Sequence, residues 1–256
     1  MIILISIIGL CYGSFLNVLI YRLPNNLSIL KPRSFCPNCK KTIPLYRNIP
    51  ILSFILQLGK CFHCKKRISS QYPIVELITG FLWFWFIYTG AQNYDFESVS
   101  NIVFSIIMIS FLIPLGIIDS KYMYFPFSLI IPIIIISLLT LLIDLFIFDN
   151  YKALWGIVAA TTFILSIYLI VKVWFKIKGR KENPMGFGDI LLIIPLGIWL
   201  GPLGILLCFL VSSILALLIW ILLYFLIDFK FNSKMPFGPY LIASSILIKI
   251  LNLSII

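Results

Sequence analysis

The chain has 256 residues, of which 61% are hydrophobic and only 11% are charged, and its formal net charge is +11. A soluble domain carries about 25% charged residues, so this chain lacks the polar residues needed to cover a water-facing surface. The composition therefore excludes a cytosolic globular enzyme and a disordered chain, and it indicates an all-α polytopic membrane protein.

In lipid, about 20 consecutive apolar residues form one spanning helix, because helical hydrogen bonding satisfies the backbone. The sequence predicts about eight transmembrane helices, at residues 2–21, 73–90, 99–118, 127–148, 153–174, 189–200, 203–227 and 238–256. The sixth is short, and Gly201-Pro202 predicts a tight turn before the seventh. The first stretch has no basic residue before Arg22 and no small-residue cleavage site. We therefore interpret residues 1–21 as a retained first transmembrane helix and not as a signal peptide.

The basic residues predict the orientation. Ten of the 20 Lys and Arg residues lie between Arg22 and Arg67, and the predicted topology puts 18 of the 20 on one side of the membrane. The positive-inside rule makes that side cytoplasmic and puts both termini outside. Attraction to anionic headgroups of the lipid bilayer explains the net charge, so we expect no nucleic-acid partner. A basic nucleic-acid surface within residues 31–67 is the alternative.

Residues 22–72 form the one predicted soluble segment, a cytoplasmic insert between the first two transmembrane helices. It contains two Cys-x-x-Cys pairs, and their members are Cys36, Cys39, Cys61 and Cys64. Two such pairs supply the four thiolates of a structural Zn²⁺ site, and a reducing cytoplasm disfavours disulfides. The alternatives are a redox pair or incidental cysteines. We expect His63 not to be a ligand, and we expect Cys11 and Cys208 to pack within the membrane helices.

Most of the nine acidic residues have a simple explanation as loop or interface residues. That group comprises Asp95, Glu97, Asp144, Asp149, Glu182 and Asp228. Glu76 lies near the inner membrane face, where we expect it to pair with Lys or Arg of the insert. The remaining two, Asp119 and Asp189, are predicted at the cytoplasmic ends of their helices, so they lie at the same depth and are able to meet. Ionisable groups at membrane depth are functional candidates.

Gly186 and Gly188 precede Asp189 and allow close approach of another backbone. Two carboxylates in one low-dielectric site do not both ionise easily, so one activates water while the other supplies a proton. This chemistry suggests peptide hydrolysis at the membrane interface. The simpler interpretations are a helix-start cap for Asp189 and a helix-end loop residue for Asp119.

Motifs spread over the whole chain resemble those of one family. They are Gly13-Ser14-Phe15-Leu16-Asn17-Val18, Tyr21-Arg22-Leu23-Pro24, Ser34 with both Cys pairs, Asn48-Ile49-Pro50, Ile68-Ser69, Tyr72-Pro73, Glu76, Thr79, Ile118-Asp119 with Pro126, Gly186-Phe187-Gly188-Asp189 and Pro236-Phe237-Gly238-Pro239-Tyr240. The chain resembles the bacterial type IV prepilin peptidases, which are membrane aspartic proteases of the Gly-x-Gly-Asp type.

This resemblance implies that Asp119 and Asp189 are the catalytic pair, within a seven-helix protease domain at residues 73–256. It implies a multi-pass protein of the bacterial plasma (inner) membrane that removes the basic leader of a type IV prepilin or pilin-like precursor on the cytoplasmic side. It also implies N-methylation of the new N-terminus with S-adenosylmethionine, an activity assigned to the Cys-rich insert. In two places the sequence departs from the family, because Leu191 replaces the usual Lys and Phe127 replaces the usual Asp or Asn.

Two other functions fit parts of the pattern. A proton-coupled transporter subunit would use both Asp residues as a relay, but we find no inverted repeat. A catalytically inactive assembly scaffold would account for Leu191 and Phe127, but it would not need either Asp residue.

If the protein is a prepilin peptidase, docking of the basic leader requires acidic residues, and the available inner-face candidates are Glu76, Glu182 and Asp228. Nothing in the sequence specifies an oligomeric state.

Overall fold

The computed structural model describes residues 2–90, 95–179, 186–227 and 235–251. Its helices are α1 (Ile2–Arg22), α2 (Leu52–Leu56), α3 (Gln71–Gly90), α4 (Phe96–Tyr122), α5 (Phe127–Phe146), α6 (Lys152–Ile177), α7 (Phe187–Ile227) and α8 (Gly238–Ile250). A 3₁₀ turn at Leu45–Arg47 precedes α2. Within these ranges the only β-structure is two isolated bridges in the insert.

The all-α polytopic architecture predicted from composition is confirmed. Among the described residues, six helices are long and apolar enough to cross a bilayer, and α8 is a shorter apolar helix. The predicted number of eight spans stays a prediction, because the sixth and seventh predicted stretches fall within the single helix α7. Glu182 and Asp228 lie outside the described residues.

Helix α7 is broken at Gly201, which has φ 71° and ψ −178°. Gly201 lies against the side chain of Lys152 at the start of α6, whereas the ring of Phe209 stacks on Phe163 at 5.0 Å. Lys152 and Phe163 are about 16 Å apart along α6, so the chain turns back after Gly201 and runs along α6 again. We call the two arms α7a (187–200) and α7b (202–227). The predicted turn therefore lies where the sequence indicated.

Glycines let α6 and α7a approach closely. A Cβ on Gly156 would collide with the carbonyl oxygen of Gly197, and a Cβ on Gly197 would lie 3.1 Å from the Cβ of Ala160. Small residues at such positions are the usual way for membrane helices to maximise van der Waals contact. This contact holds the first arm of α7 against α6, with its N-terminal Asp189 beside the second half of α6.

Two lysines stabilise the broken end of α7a. The Nζ of Lys249 donates a hydrogen bond of 2.9 Å to the carbonyl oxygen of Trp199, and the aliphatic stem of Lys152 covers Gly201. The last carbonyls of a helix have no partner within the helix and carry partial negative charge, so cations are favourable there. Lys152 and Lys249 thus converge on one helix break.

Residues Met1–Pro114 and Leu115–Ile256 form two compact units. In the first unit, α1 packs closely on α3, since a Cβ on Gly13 would lie 2.8 Å from the Cα of Glu76. The side chain of Asn17 donates to the carbonyl oxygen of Tyr72 at 3.1 Å. These contacts bring the two ends of the insert together.

Two sequence predictions for this unit are wrong. Glu76 is buried and does not use Lys or Arg of the insert as its main partner, because its Oε2 accepts the backbone N–H of Ile51 at 2.7 Å and the hydroxyl of Ser14 donates to it. This carboxylate is therefore not spare for leader docking. Cys11 is exposed rather than packed, whereas Cys208 in the second unit is buried as expected.

Candidate active site and metal centre

Asp119 and Asp189 lie together in the second unit, as predicted from their depth. Asp119 comes from the last turns of α4 and Asp189 from the first turn of α7a, and both line one cavity of 1220 Å³. The carboxylate of Asp189 is near enough to act electrostatically on that of Asp119. The structure thus brings two acidic groups to one site, which is the arrangement that acid–base chemistry requires.

Asp189 uses only part of its hydrogen-bonding capacity to cap its helix. The N–H of Gly186 donates to this carboxylate, and the Oδ2 atom lies on the Gly186 side. An acidic residue that reaches back to the N–H preceding its helix is a capping arrangement. The second oxygen, Oδ1, is buried and has no hydrogen-bond partner among the described residues. The cap interpretation is therefore correct for one oxygen, whereas the hydrogen-bonding capacity of the other is unused among the described residues.

The motif that begins at Pro236 supplies the partner of Asp119. Asp119 is 5% exposed, and the N–H of Gly238 at the start of α8 donates to its carboxylate. A Cβ on Gly238 would lie 2.5 Å from Oδ2 of Asp119. Glycine is needed here because the backbone itself approaches the carboxylate. The sequence contains this motif as part of the family resemblance, but Gly238 was not predicted as a site residue.

The ring of Phe125 separates the two glycines that accompany the carboxylates. A Cβ on Gly188 would lie 2.5 Å from Cδ2 of Phe125, and a Cβ on Gly238 would collide with Cζ of the same ring. Phe125 is 8% exposed. It fills the space between the start of α7a and the start of α8, so it fixes the separation of the elements that hold Asp189 and the partner of Asp119. Its position before Pro126 was the only sequence signal for this role.

The rest of the cavity wall is largely apolar. Helix α6 contributes residues spaced as on one helical face, namely Phe163, Ile164, Ile167, Tyr168 and Val171. Arm α7b contributes a second face with the same spacing, namely Leu206, Phe209, Leu210 and Ser213. Residues three, four and seven apart line one side of a helix. The two faces form apolar walls that lead to the carboxylates.

Neither residue that departs from the family pattern belongs to the described cavity lining. Phe127 is 58% exposed at the start of α5. Leu191 is half-buried on α7a, two positions after Asp189. Neither of these two side chains therefore lines the described cavity.

The four cysteines of the insert form a group that could hold a metal ion. Their Sγ atoms all lie within 4.8 Å of one another, and those of Cys36 and Cys64 are 3.9 Å apart. Two similar turns bring them together. The N–H of Lys40 donates to the carbonyl oxygen of Cys36 at 2.8 Å, and the N–H of Lys65 donates to that of Cys61 at 2.9 Å. His63 is exposed and is not part of this group.

The hydrogen bonds around the cysteines create unequal thiols. Burial raises the pKa of the Cys36 thiol to about 11. Burial also acts to raise the pKa of Cys61, but the backbone amides of Cys64 and His63 and the neighbouring thiols donate hydrogen bonds that lower it to about 7. Binding of a metal ion would require the cysteine thiols to lose their protons, because only thiolates coordinate the ion.

Arg22 supports the first Cys turn from the end of α1. It is 4% exposed, and its guanidinium donates to the carbonyl oxygens of Ser28, Ile29, Pro32 and Arg33 at 2.6–3.3 Å. It also lies 5.5 Å from the ring centroid of Phe35, next to Cys36. This buried cation orders the segment that leads into the metal-binding turn.

The chain is similar to known proteins along most of its length. A model described as the type IV leader peptidase family matches residues 106–230, and a model described as the bacterial peptidase A24 N-terminal domain matches residues 7–89. No solved structure matches the chain significantly.

Curated relatives named prepilin leader peptidase/N-methyltransferase cover most of the chain. The relative from Neisseria gonorrhoeae is 33% identical over 238 residues, which is 84% of this chain and 79% of that protein. The relative from Aeromonas hydrophila is 32% identical and covers 93% of this chain and 86% of its own. The one from Stutzerimonas stutzeri is 30% identical, with 92% and 85% covered. The chain therefore belongs to the type IV leader peptidase family.

Proposed function

We propose that this membrane protein is an aspartic endopeptidase that cleaves the leader from type IV prepilin or pilin-like precursors, with Asp119 and Asp189 as the catalytic residues. The observation that carries the proposal is that both carboxylates line one cavity and that the buried Oδ1 of Asp189 has no partner among the described residues. Such an oxygen is available to hold a catalytic water. The names of the relatives supply the substrate class.

The mechanism requires one ionised and one protonated carboxyl group. The ionised group takes a proton from water, whose oxygen attacks the scissile carbonyl carbon, while the protonated partner donates to the developing oxyanion. Collapse of the resulting gem-diol breaks the C–N bond: the leaving amine takes the proton that came from water, and one hydroxyl proton of the gem-diol returns to the partner carboxylate. The pair is then again one ionised and one protonated carboxyl group. Because the two carboxyl groups titrate as a coupled pair, we do not assign the base to one Asp residue and the acid to the other.

The apolar walls are suited to the substrate's membrane helix. The walls on α6 and α7b lead to the carboxylates, and an apolar helix entering from lipid would bury its side chains there. Its basic leader would remain in the cytoplasm. This orientation rests on the positive-inside rule, which puts 18 of 20 basic residues on the cytoplasmic side.

We propose that the cysteine group holds Zn²⁺ through Cys36, Cys39, Cys61 and Cys64. A tetrahedral site with Zn–S bonds of about 2.3 Å has sulfur atoms about 3.8 Å apart. The 3.9 Å between the Sγ atoms of Cys36 and Cys64 fits that geometry. When bound, the ion stabilises the fold of an insert that has little core of its own.

We further propose that the protein N-methylates the new N-terminal residue with S-adenosylmethionine. Support comes from the second half of the relatives' names and from the presence of the insert in the matched N-terminal region. Belonging to this family disfavours both the transporter and the inactive scaffold.

Cleavage of a prepilin from the same genome, by the protein in liposomes, tests the peptidase proposal. Wild type is compared with Asp119→Asn and Asp189→Asn, and Asp149→Asn serves as the control because Asp149 is exposed outside the cavity. We expect cleavage to be lost in the first two variants and retained in the control. An active Asp189→Asn protein would refute the catalytic pair.

Mass spectrometry of the product's N-terminus tests methylation separately. We expect the mass of one methyl group to be added only when S-adenosylmethionine is present. The double variant Cys36→Ser, Cys61→Ser should lose bound zinc, measured by elemental analysis, while the cavity carboxylates remain in place. Unchanged zinc content in that variant would contradict the metal site.

A further inference from the structure

The insert carries an unusual number of exposed apolar side chains on one segment. Between residues 45 and 58 the backbone forms the 3₁₀ turn, helix α2 and the residues that follow it. We call its most exposed apolar residues, which are 48% to 84% exposed, the apolar ledge; they are Leu45, Tyr46, Leu52, Ile55, Leu56 and Leu58. Exposed apolar side chains concentrated in one short segment mark a candidate site of interaction with protein or membrane.

The ledge residues of α2 are directed outward by the local fold. Leu52, Ile55 and Leu56 are spaced three and four residues apart and are all exposed, so they form one face of the helix. The intervening Phe54 turns inward, where its ring would lie 3.1 Å from a Cβ on Gly59. The apolar residues of α2 therefore divide into an inward anchor and an outward face that no described residue covers.

A part-buried hydrogen bond fixes the ledge at the level of the membrane end of α3. The N–H of Ile51, immediately before α2, donates to Oε2 of Glu76 at 2.7 Å. Ile51 has φ 60°, an uncommon conformation for a β-branched residue, and this conformation accompanies the hydrogen bond. Glu76 lies five residues into the candidate span Gln71–Gly90, about 7.5 Å along its axis. The start of α2 is therefore beside the first turns of a membrane helix.

All the charged residues of the insert that carries the ledge are basic. Residues 22–72 contain ten Lys and Arg residues and no Asp or Glu. Most of these basic side chains are exposed, namely Lys31, Arg33, Lys40, Lys41, Lys60, Lys65, Lys66 and Arg67. Apolar side chains that insert at the acyl boundary, surrounded by basic residues, are characteristic of segments that bind in the plane of an anionic membrane surface.

The second Cys turn is joined to the ledge. The guanidinium of Arg47, in the 3₁₀ turn, lies 3.4 Å from the ring centroid of Phe62, which is between Cys61 and Cys64. Cation–π contacts of this kind hold neighbouring segments in a defined arrangement. The ledge is thus part of the folded insert and not an independent loop.

We infer that the apolar ledge lies in the membrane interface and binds anionic lipid, so that the insert rests on the bilayer instead of standing free in water. Leu52, Ile55 and Leu56 contact acyl chains, while the basic residues contact headgroup phosphates. The partner is the lipid surface of the membrane that α1 and α3 cross.

Lipid photolabelling of the full-length protein tests the inference. The protein is reconstituted in nanodiscs of phosphatidylcholine and phosphatidylglycerol that contain a phospholipid with an acyl-chain diazirine, and adducts are mapped by mass spectrometry. We expect adducts within residues 45–58 and none on the Cys turn at 36–41. Adducts confined to the membrane helices would overturn the proposal.

Changing the lipid composition distinguishes electrostatic binding to anionic lipid from general hydrophobic contact with the bilayer. In nanodiscs of phosphatidylcholine alone, we expect the adduct yield at 45–58 to fall severalfold while the yield on α3 stays constant, because only the ledge depends on the surface potential. Equal yields at 45–58 in both compositions would refute the anionic-lipid assignment. Loss of these adducts on addition of a prepilin would assign the ledge to substrate instead.

A matched pair of variants completes the test. The triple variant Leu52→Ser, Ile55→Ser, Leu56→Ser should lose most labelling at 45–58, whereas Leu30→Ser, at an 87% exposed position outside the ledge, should keep it. Circular dichroism establishes that each variant is folded. If the triple variant does not fold, the labelling of the wild type still decides the proposal.

Discussion

Gly238→Ala is the sharpest test of how the site is built. The added Cβ would lie 2.5 Å from Oδ2 of Asp119 and would collide with the ring of Phe125. Unbonded heavy atoms pack at about 3.5–4.0 Å, so α8 or the Asp119 carboxylate must move by about 1 Å. The N–H of Gly238 that donates to Asp119 moves with it.

The magnitudes predict a larger effect on activity than on stability. Overpacking of this kind costs about 1–3 kcal/mol, whereas replacing Gly by Ala in a helix gains up to about 1 kcal/mol. A displacement of about 1 Å at a reacting group costs about 10²-fold in rate. We therefore expect Gly238→Ala to cleave prepilin about 100-fold more slowly, with only a modest fall in thermal stability.

Gly116→Ala is the matched control. Gly116 lies on α4 one turn before Asp119, and its added Cβ would meet Ile242 at an ordinary 3.4 Å. The assay is prepilin cleavage in liposomes together with thermal unfolding of each variant. Cleavage by Gly238→Ala within twofold of wild type, at unchanged or higher stability, would refute the close-approach argument.

A second variant separates the two collisions. Phe125→Leu, added to Gly238→Ala, removes the distal ring atoms but leaves the contact with Asp119. We expect stability to recover and cleavage to remain low. Recovery of both would mean that Phe125 alone was responsible.

Three further predictions follow from other close contacts. Gly188→Ala forces a Cβ to 2.5 Å from Cδ2 of Phe125, so we expect reduced cleavage, measured in the same assay. Arg22→Lys keeps the charge but cannot serve four carbonyl oxygens, so thermal unfolding should show a loss of about 1–3 kcal/mol, whereas the exposed Arg33→Lys should not. Lys249→Met leaves the carbonyl oxygen of Trp199 without its donor, so thermal unfolding should show a loss of about 1–3 kcal/mol, and no loss would contradict the capping role.

The sequence predicted those features that depend on local composition or spacing. Hydropathy indicates membrane helices because lipid leaves the backbone no other partner. Two Cys-x-x-Cys pairs predict a metal-binding group because each short turn needs only its own residues to bring two thiols together, and the structure brings all four together. Gly201-Pro202 predicts a turn for the same reason, since the break depends on the backbone freedom of one glycine.

Only the tertiary structure determined how distant elements meet. Depth in the membrane made contact between Asp119 and Asp189 possible, but many helix arrangements satisfy equal depth. The donation from Gly238 to Asp119 and the wedge of Phe125 join segments that lie far apart in the chain. The partner of Glu76 was also not predictable from the sequence. A carboxylate near a basic insert suggests an ion pair, but in the fold Glu76 accepts the backbone N–H of Ile51 instead. Composition and spacing leave several partners equally possible for each residue, and only long-range packing determines which of them meet. The geometry of the site therefore depends on the tertiary structure.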